Sequence, residues 1–535
     1  MKKIFNVKND CSDMLNEEII DTIFKSRGIF DKEHFLNPTE DDMLPLEDLE
    51  RIDEAAKIVV DGILNGKKFM VYADVDADGI TSGAIGIRYL RDMGAEVDWY
   101  INEGKKHGVT EEFLEHIKDI DILIIVDSLN NNVDLYKQIK DMGIKTIVLD
   151  HHDIDSNIPY DDYVVLVSSN RESYKNKDLS GAGVVMKFCL NIDTYLGTIE
   201  ADKFYDLCAI GLLADMMSVD EKHMENRYLI SKGLKNMHNP AVKKIVGSFP
   251  FNSKAASFSI APLINASMRY NENKAALELF LSDDNKEVLK YLRVLKKCKE
   301  RQAAEVDELL PSIIAQCEAQ ADRKMLFVVI DTENGIAGLL GNKLLERYKK
   351  PIVCVKDYGS FYLGSARAPS GRDFKAMCVS TGLGEFDGHP NAHGVKINVG
   401  NIDKFRDMMD DKLKDVEFVA TFDVDIEVGV EDISSQLIDE IKKIDEISGT
   451  GFKSVSVKIT TDSYEVETMS QGKHLVIKPN NWFQFIKWNA GELVDQFEDH
   501  AMFDDELSFV GSLDSGFLGR NYSMRMIVDD IIETD

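Results

Sequence analysis

Three times in the first 150 residues, an apolar run ends in an acid. Lys68-Phe69-Met70-Val71-Tyr72-Ala73 runs into Asp74, Ile122-Leu123-Ile124-Ile125-Val126 into Asp127, and Thr146-Ile147-Val148-Leu149 into Asp150. Helical spacing lies between these runs, around 81–93, 111–118 and 133–142, and precedes them over 53–65. Uninterrupted apolar strands must be buried on both faces, so strands alternating with helices predict a parallel sheet of βαβ units. Ligands of such sheets bind beyond the carboxyl ends of the strands, which is where these acids fall.

The rest of the chain divides by pattern. Residues 1–50 read as short helices and acidic turns, and residues 200–235 read as helical. Residues 284–318 carry Leu289, Leu292, Leu295, Val306, Leu309 and Ile313 near helical spacing and predict a long helix joining two lobes. A second α/β pattern runs from Met325 to about residue 400. Beyond it, Phe422, Val424, Ile426 and Val428 alternate with Asp423, Asp425 and Glu427, the signature of a half-buried strand. Val455, Val457 and Ile459 repeat that alternation, as do segments near 474–488 and 506–528, which predicts an antiparallel barrel or sandwich.

The chain has 535 residues, enough for about three or four domains. Its 63 basic and 94 acidic residues leave a net charge of −31. That balance excludes proteins that coat DNA or bind membranes by bulk charge. A polyanionic substrate would need local basic groups or bound metal. Seven cysteines, none in a CxxC pair, argue against a disulfide scaffold or a zinc-thiolate site. There is no apolar run of about 18 residues, and no apolar stretch follows the N-terminal lysines. The expectation is a cytoplasmic, monomeric protein with no membrane contact.

Asp74-Val75-Asp76-Ala77-Asp78-Gly79 alternates three carboxylates over five residues. Clustered aspartates repel one another unless cations lie between them. A calcium-binding EF-hand loop begins in the same way, but its twelfth position requires Glu and here is Ile85. Asp127 alone could be a turn residue or a cap. Asp150-His151-His152-Asp153 adds two imidazoles, good ligands for manganese, zinc or iron. Gly211-Leu212-Leu213-Ala214-Asp215 puts an acid in an apolar helical setting. With Asp74, Asp76, Asp78, Asp127 and Asp215 all ionised the group carries −5, and two divalent ions would return +4. Two ions about 3.5–4 Å apart can clamp a scissile phosphate and activate water. Mixed Asp/His ligation favours Mn²⁺, with Mg²⁺ as the second choice.

These motifs resemble the DHH phosphoesterase superfamily: Asp74 to Ser82, Val126-Asp127-Ser128, Asp150-His151-His152 and Ala214-Asp215. Within it the chain looks most like the RecJ-like single-strand-specific exonucleases. Phe35-Leu36-Asn37-Pro38, Glu225-Asn226-Arg227, Ile260-Ala261-Pro262 through Arg269, Gly335-Ile336-Ala337-Gly338, Gly364-Ser365-Ala366-Arg367 and Gly388-His389 extend the likeness. The resemblance implies a parallel-sheet DHH catalytic domain in residues 1–283, a connecting helix in 284–322, a smaller α/β DHHA1 substrate domain in 323–415 and an all-β OB-like domain in 416–535. It implies metal ligation by Asp74, Asp76, Asp78, Asp127, His151 and Asp215. His152 would contact the scissile phosphate and Asp150 would orient a histidine. Arg269, Ser365, Arg367 and His389 would hold nucleic-acid phosphates. Leu263 stands where the family carries arginine, and Asp387 where it carries a first glycine. The stretch 100–108 lacks the family's Pro-Asn-Arg; either Lys105 or Lys106 replaces that phosphate-binding arginine, or the two are ordinary surface lysines.

The implied activity is 5′→3′ digestion of single-stranded DNA to 5′-mononucleotides in repair or recombination, with two divalent cations. A single-strand-binding protein or a helicase is the implied protein partner. A phosphodiesterase of short oligoribonucleotides or cyclic dinucleotides is the alternative, although it would have no use for the last 120 residues. A non-enzymatic scaffold is the third reading, and the intact acidic motifs oppose it. In the last segment Trp482 and Trp488 lie beside Lys473, Lys478 and Lys487, a composition suited to stacking bases. Barrel cores also need aromatics, so at least half of that group is expected to be buried.

Overall fold

The computed structural model describes residues 3–332, 335–369, 371–418, 420–502, 506–518 and 521–533. Met1 and Lys2, and positions 519–520 of the last predicted strand segment, lie outside them. Two compact units emerge. One holds residues 1–5, 269–272 and 294–422; the other holds 6–268, 273–293 and 423–535.

The larger unit contains the predicted parallel sheet. Its five strands run in the order Glu96–Ile101, Lys68–Ala73, Ile122–Val126, Lys145–Asp150, Val165–Ser168, and every pair is parallel. The central strand Ile122–Val126 is buried along its whole length, as an uninterrupted apolar run requires. Helices Ile52–Leu64, Ala77–Asp92 and Val133–Asp141 form where the spacing places them. The stretch 111–118 instead yields a 3₁₀ turn, Glu111–Glu115, which buries only Phe113. The first 50 residues also contribute a strand, Lys3–Val7, paired with Ala420–Val424.

The C-terminal part of this unit is a seven-stranded, mostly antiparallel sheet. Its pairs Ile426–Val428 with Val457–Thr461 and Phe483–Lys487 with Asn521–Glu533 are parallel. Two helices, Ser435–Asp445 and Val494–Met502, accompany the expected strands. This sheet is fastened to the rest of its unit by buried groups. Arg227 lies 3.6 Å from the Phe35 ring and 5.3 Å from that of Phe452, and donates to the carbonyls of Phe35, Val219 and Ile447. The Val219 amide donates in turn to the Thr450 carbonyl.

The other unit is built on a five-stranded sheet in the order Gly384–His389, Ala392–Asn398, Phe361–Arg367, Ile352–Asp357, Leu326–Val329. Only the last pair is parallel. The predicted long helix spans Asn285–Glu318, and the boundary between the units falls inside it at Val294. Among the described residues no helix is long and apolar enough to cross a membrane.

Candidate active site

Parallel strands of one sheet end on one edge, and that edge gathers the acids. Asp74 follows Lys68–Ala73, Asp127 follows Ile122–Val126, and Asp150 closes Lys145–Asp150. Asp76 caps the helix Ala77–Asp92 by accepting from the Gly79 amide at 3.0 Å, which turns Asp78 inward from the first helical turn. Asp215 ends the helix Tyr205–Ala214. Three sets of ligand atoms converge: Asp127, His151 and His152; Asp78, His151 and Asp215; and Asp74, Asp76 and Asp127. Within each set the atoms lie within 4.8 Å of one another. Asp127 and His151 each belong to two sets. Close packing permits this, since a Cβ on Gly181 would sit 2.7 Å from Asp127 Oδ1.

The electrostatics are those of a site built around positive charge it does not itself supply. Burial, then Asp78 and Asp76, push the Asp127 carboxyl well above its usual range. Burial and Asp74 raise Asp76 to about 6, and burial and Asp78 raise Asp215 to about 8. Asp78 is also raised by burial, although Ser180 Oγ at 3.0 Å and the amides of Gly181 and Ala182 at 2.7 and 3.2 Å donate to it. Asp127 Oδ1 is buried with no hydrogen-bond partner among the described residues. His151 Nε2 lies 3.1 Å from it, and 3.5 Å from Asp215 Oδ2, without the alignment of a hydrogen bond to Asp127. A lone carboxylate oxygen and an imidazole nitrogen aimed at one point, among acids that resist ionising together, fit a divalent cation.

Asp150 behaves differently. Burial would raise it, but His152 overrides this with its ring at 2.9 Å and its amide at 2.5 Å, and Leu129 N donates at 2.6 Å. The same contact with Asp150 raises His152 to about 9 against the effect of burial. The His152 ring remains half-exposed.

Sequence reasoning passed over one histidine. His107 Nδ1 lies 2.6 Å from Asp74 Oδ2, while Ser128 Oγ donates to Asp74 Oδ1 at 3.3 Å. In the same stretch, 100–108, Lys106 pairs with Glu112 at 3.4 Å. The signal available was the half-polar turn His107-Gly108, whose importance depends on a partner 33 residues upstream.

The four predicted phosphate-binding residues belong to the other unit. Ser365 and Arg367 lie two apart on Phe361–Arg367 and share a face. The register sets Arg367 opposite Ala392 and Ala392 opposite His389, so Arg367 and His389 stand in one row across three strands. Gly338, in the first turn of the helix Ala337–Tyr348, lets Arg367 approach: a Cβ there would meet Arg367 Nη2 at 2.5 Å. Arg269 ends Ala261–Arg269, and with burial it holds Lys299 below its usual value. In the C-terminal sheet, Phe483 and Phe485 are core residues, whereas Trp482 and Trp488 are exposed. Trp482 borders a hollow of about 300 Å³ with Lys478 and Gln484.

Residues 68–212 match the family model described as the DHH family, N-terminal domain. The chain is 30% identical over 546 residues to the protein named "Putative SPbeta prophage-derived single-strand DNA-specific exonuclease YorK" of Bacillus subtilis, covering 94% of this chain and 93% of that one. It is 27% identical over 432 residues to the single-stranded-DNA-specific exonuclease RecJ of the same organism, covering 77% of this chain and 54% of RecJ. Its fold matches the crystal structure of RecJ in complex with Mn²⁺ from Thermus thermophilus, with a TM-score of 0.78 at 21% identity, over 100% of this chain and 80% of that one. An acid-lined parallel-sheet edge, the family match and a relative aligned almost end to end all agree: the chain belongs to the DHH family, among the RecJ-like exonucleases.

Proposed function

We propose that this protein is a single-strand-specific DNA exonuclease that works from the 5′ end with divalent cations, Mn²⁺ before Mg²⁺, in DNA repair or recombination. The observation that carries the reading is the sharing of Asp127 and His151 among the three converging ligand sets. Asp74, Asp76, Asp78, Asp127, His151 and Asp215 would hold two cations. Bound there, the cations would supply Lewis-acid activation of water and charge for the phosphoryl oxygens.

The protein's own groups do the rest. Asp150 fixes the His152 ring through Nδ1, which leaves Nε2 for an oxygen of the scissile phosphate. Arg367, Ser365, His389 and Arg269 bind the 5′-terminal phosphate and its neighbour; arginine suits this because its fork pairs with phosphate oxygens. Water attacks the phosphorus between the first two nucleotides, and the bond to the 3′ oxygen of the first one breaks. A nucleoside 5′-monophosphate leaves, and the shortened strand keeps a 5′ phosphate. Exposed Trp482 and Trp488 of the OB-like segment would stack bases further along the strand. The division into residues 1–283, 284–322, 323–415 and 416–535 is the working domain scheme, and a single-strand-binding protein or helicase the working partner.

The test is digestion of single- and double-stranded DNA labelled separately at each end, with Mn²⁺, by the wild type and Asp127→Ala. The reading requires mononucleotide release from the 5′ label of the single strand alone, and its loss in the variant. Equal digestion of duplex, or a dinucleotide cleaved faster than a 20-mer, would refute it.

A further inference from the structure

Two half-exposed imidazoles flank the acid cluster, and each has its Nδ1 against a buried aspartate: His152 on Asp150 at 2.9 Å and His107 on Asp74 at 2.6 Å. The first pair lies in a motif that announces itself. The second joins a loop histidine to a strand-end acid and belongs to no motif read from the sequence.

The loop that carries His107 is built to hold its place. Gly108 O accepts from Tyr72 OH at 2.5 Å and from Asn102 Nδ2 at 3.0 Å. Gly108 N donates to Ser128 Oγ, the same hydroxyl that reaches Asp74. Asn102 Nδ2 also holds the Lys106 carbonyl, and Asn273 Nδ2 holds the carbonyls of Asn102 and Gly104. Backbone on both sides of His107 is therefore tied to the sheet and to a neighbouring helix. Asp74 itself is buried and has two side-chain partners, His107 on one oxygen and Ser128 on the other. Of these, the 3.3 Å hydroxyl contact is the weaker.

We infer that His107 is a positioning residue that fixes the Asp74 carboxylate through its Nδ1–H, so that Asp74 meets a divalent cation in one orientation. The inference rests on the metal-dependent reading above. Hydrogen-bond partners of metal-binding carboxylates set ligand geometry, and removing one typically costs about 10–100-fold in metal affinity or activity. The role belongs to Nδ1, and two amides separate it from any role of Nε2. Asn at position 107 places its N–H where Nδ1 stood; Gln places it where Nε2 stood.

The experiment is a Mn²⁺ titration of the full chain, followed by electron paramagnetic resonance of free ion, for the wild type, His107→Ala, His107→Asn and His107→Gln. Thermal unfolding in EDTA runs alongside to show that all four fold. His107→Ala should bind Mn²⁺ about 10–100-fold more weakly. His107→Asn should recover most of that loss, and His107→Gln should not. Equal or tighter binding by His107→Ala, or rescue by Gln in place of Asn, would overturn the inference while leaving the exonuclease reading intact. A wild type that takes up no Mn²⁺ would bring down both.

Discussion

Asp127 and Asp425 are both buried aspartates in the same compact unit, and their surroundings push them in opposite directions. Asp127 sits among Asp78, Asp76, Asp150 and Asp74, and its carboxyl is driven far up. Burial would also raise Asp425, but Arg27 overrides it and holds the carboxyl below its usual range. Arg27 donates to both Asp425 oxygens, at 3.1 and 2.6 Å, and Ser456 N adds a third contact at 3.0 Å. A buried acid with a built-in cation is a fastener. A buried acid surrounded by other acids needs a cation from outside, and that difference separates a candidate active site from a structural joint.

The largest effect should come from removing the unpaired acid. Asp127→Ala takes a member from two of the three ligand sets, and the lost cation stabilisation is several kcal/mol, about 10³-fold in rate or more. Its fold should survive, because a repelling charge leaves with it. Digestion rates and urea unfolding without metal would check both halves. A variant that kept its activity, or one that lost its fold, would erase the contrast.

Arg27→Ala should do the reverse. It leaves Asp425, which is 4% exposed, with the Lys8 ammonium at 3.4 Å and the Ser456 amide, and should cost about 3 kcal/mol in urea unfolding, the low end for breaking a buried pair. The molecules that remain folded should keep their Mn²⁺ affinity.

pH sharpens the contrast through opposite signs. Asp425 is depressed in the folded state, so its contribution is present above the unfolded carboxyl value of about 3.9 and is lost as pH falls through the lower folded value. Asp76 and Asp215 are raised, to about 6 and about 8. Without metal their contribution is full below about 3.9 and is lost as pH climbs through those values. In EDTA, stability should therefore fall from about pH 4 to pH 8, more steeply below pH 6 where both groups contribute, and Mn²⁺ should flatten that slope. Thermal melts at constant ionic strength would show it; a slope unchanged by Mn²⁺ would contradict it.

The two aspartates also differ in how far sequence reveals them. The edge that carries Asp74, Asp127 and Asp150 follows from uninterrupted apolar strands, because parallel pairing fixes where each strand ends. The alternation from Phe422 to Val428 predicts a solvent-facing Asp425. The chain breaks that alternation: Val424, Asp425 and Ile426 are buried in succession, and separate strands end and begin on either side of Asp425. The cause is Arg27, 398 residues earlier, which no local period can report. His107 stayed hidden for the same reason, since its importance is its distance to Asp74. The row of Arg367 and His389 was nameable as residues, but it depends on the register of three strands, which apolar patterning constrains to a face and not to a partner.

Ser180 gives the smallest effect and the finest discrimination, because it belongs to both kinds of environment. Its hydroxyl donates to Asp78 Oδ1 at 3.0 Å and accepts from Gly183 N at 3.4 Å as the cap of Gly181–Leu196. Ser180→Ala loses both contacts and should cost about 1 kcal/mol of stability. Ser180→Gly loses the same two contacts, but glycine is a tolerated cap, so only the cap part of that cost should shrink and the loss at Asp78 should remain. If cations rather than hydrogen bonds keep the cluster together, the two variants should share one modest loss of Mn²⁺ affinity, under tenfold, while differing in urea. The Gly181 and Ala182 amides still hold Asp78 in both. A loss of Mn²⁺ affinity that tracked the stability difference would mean that the helix start, and not the hydroxyl, sets the geometry of Asp78.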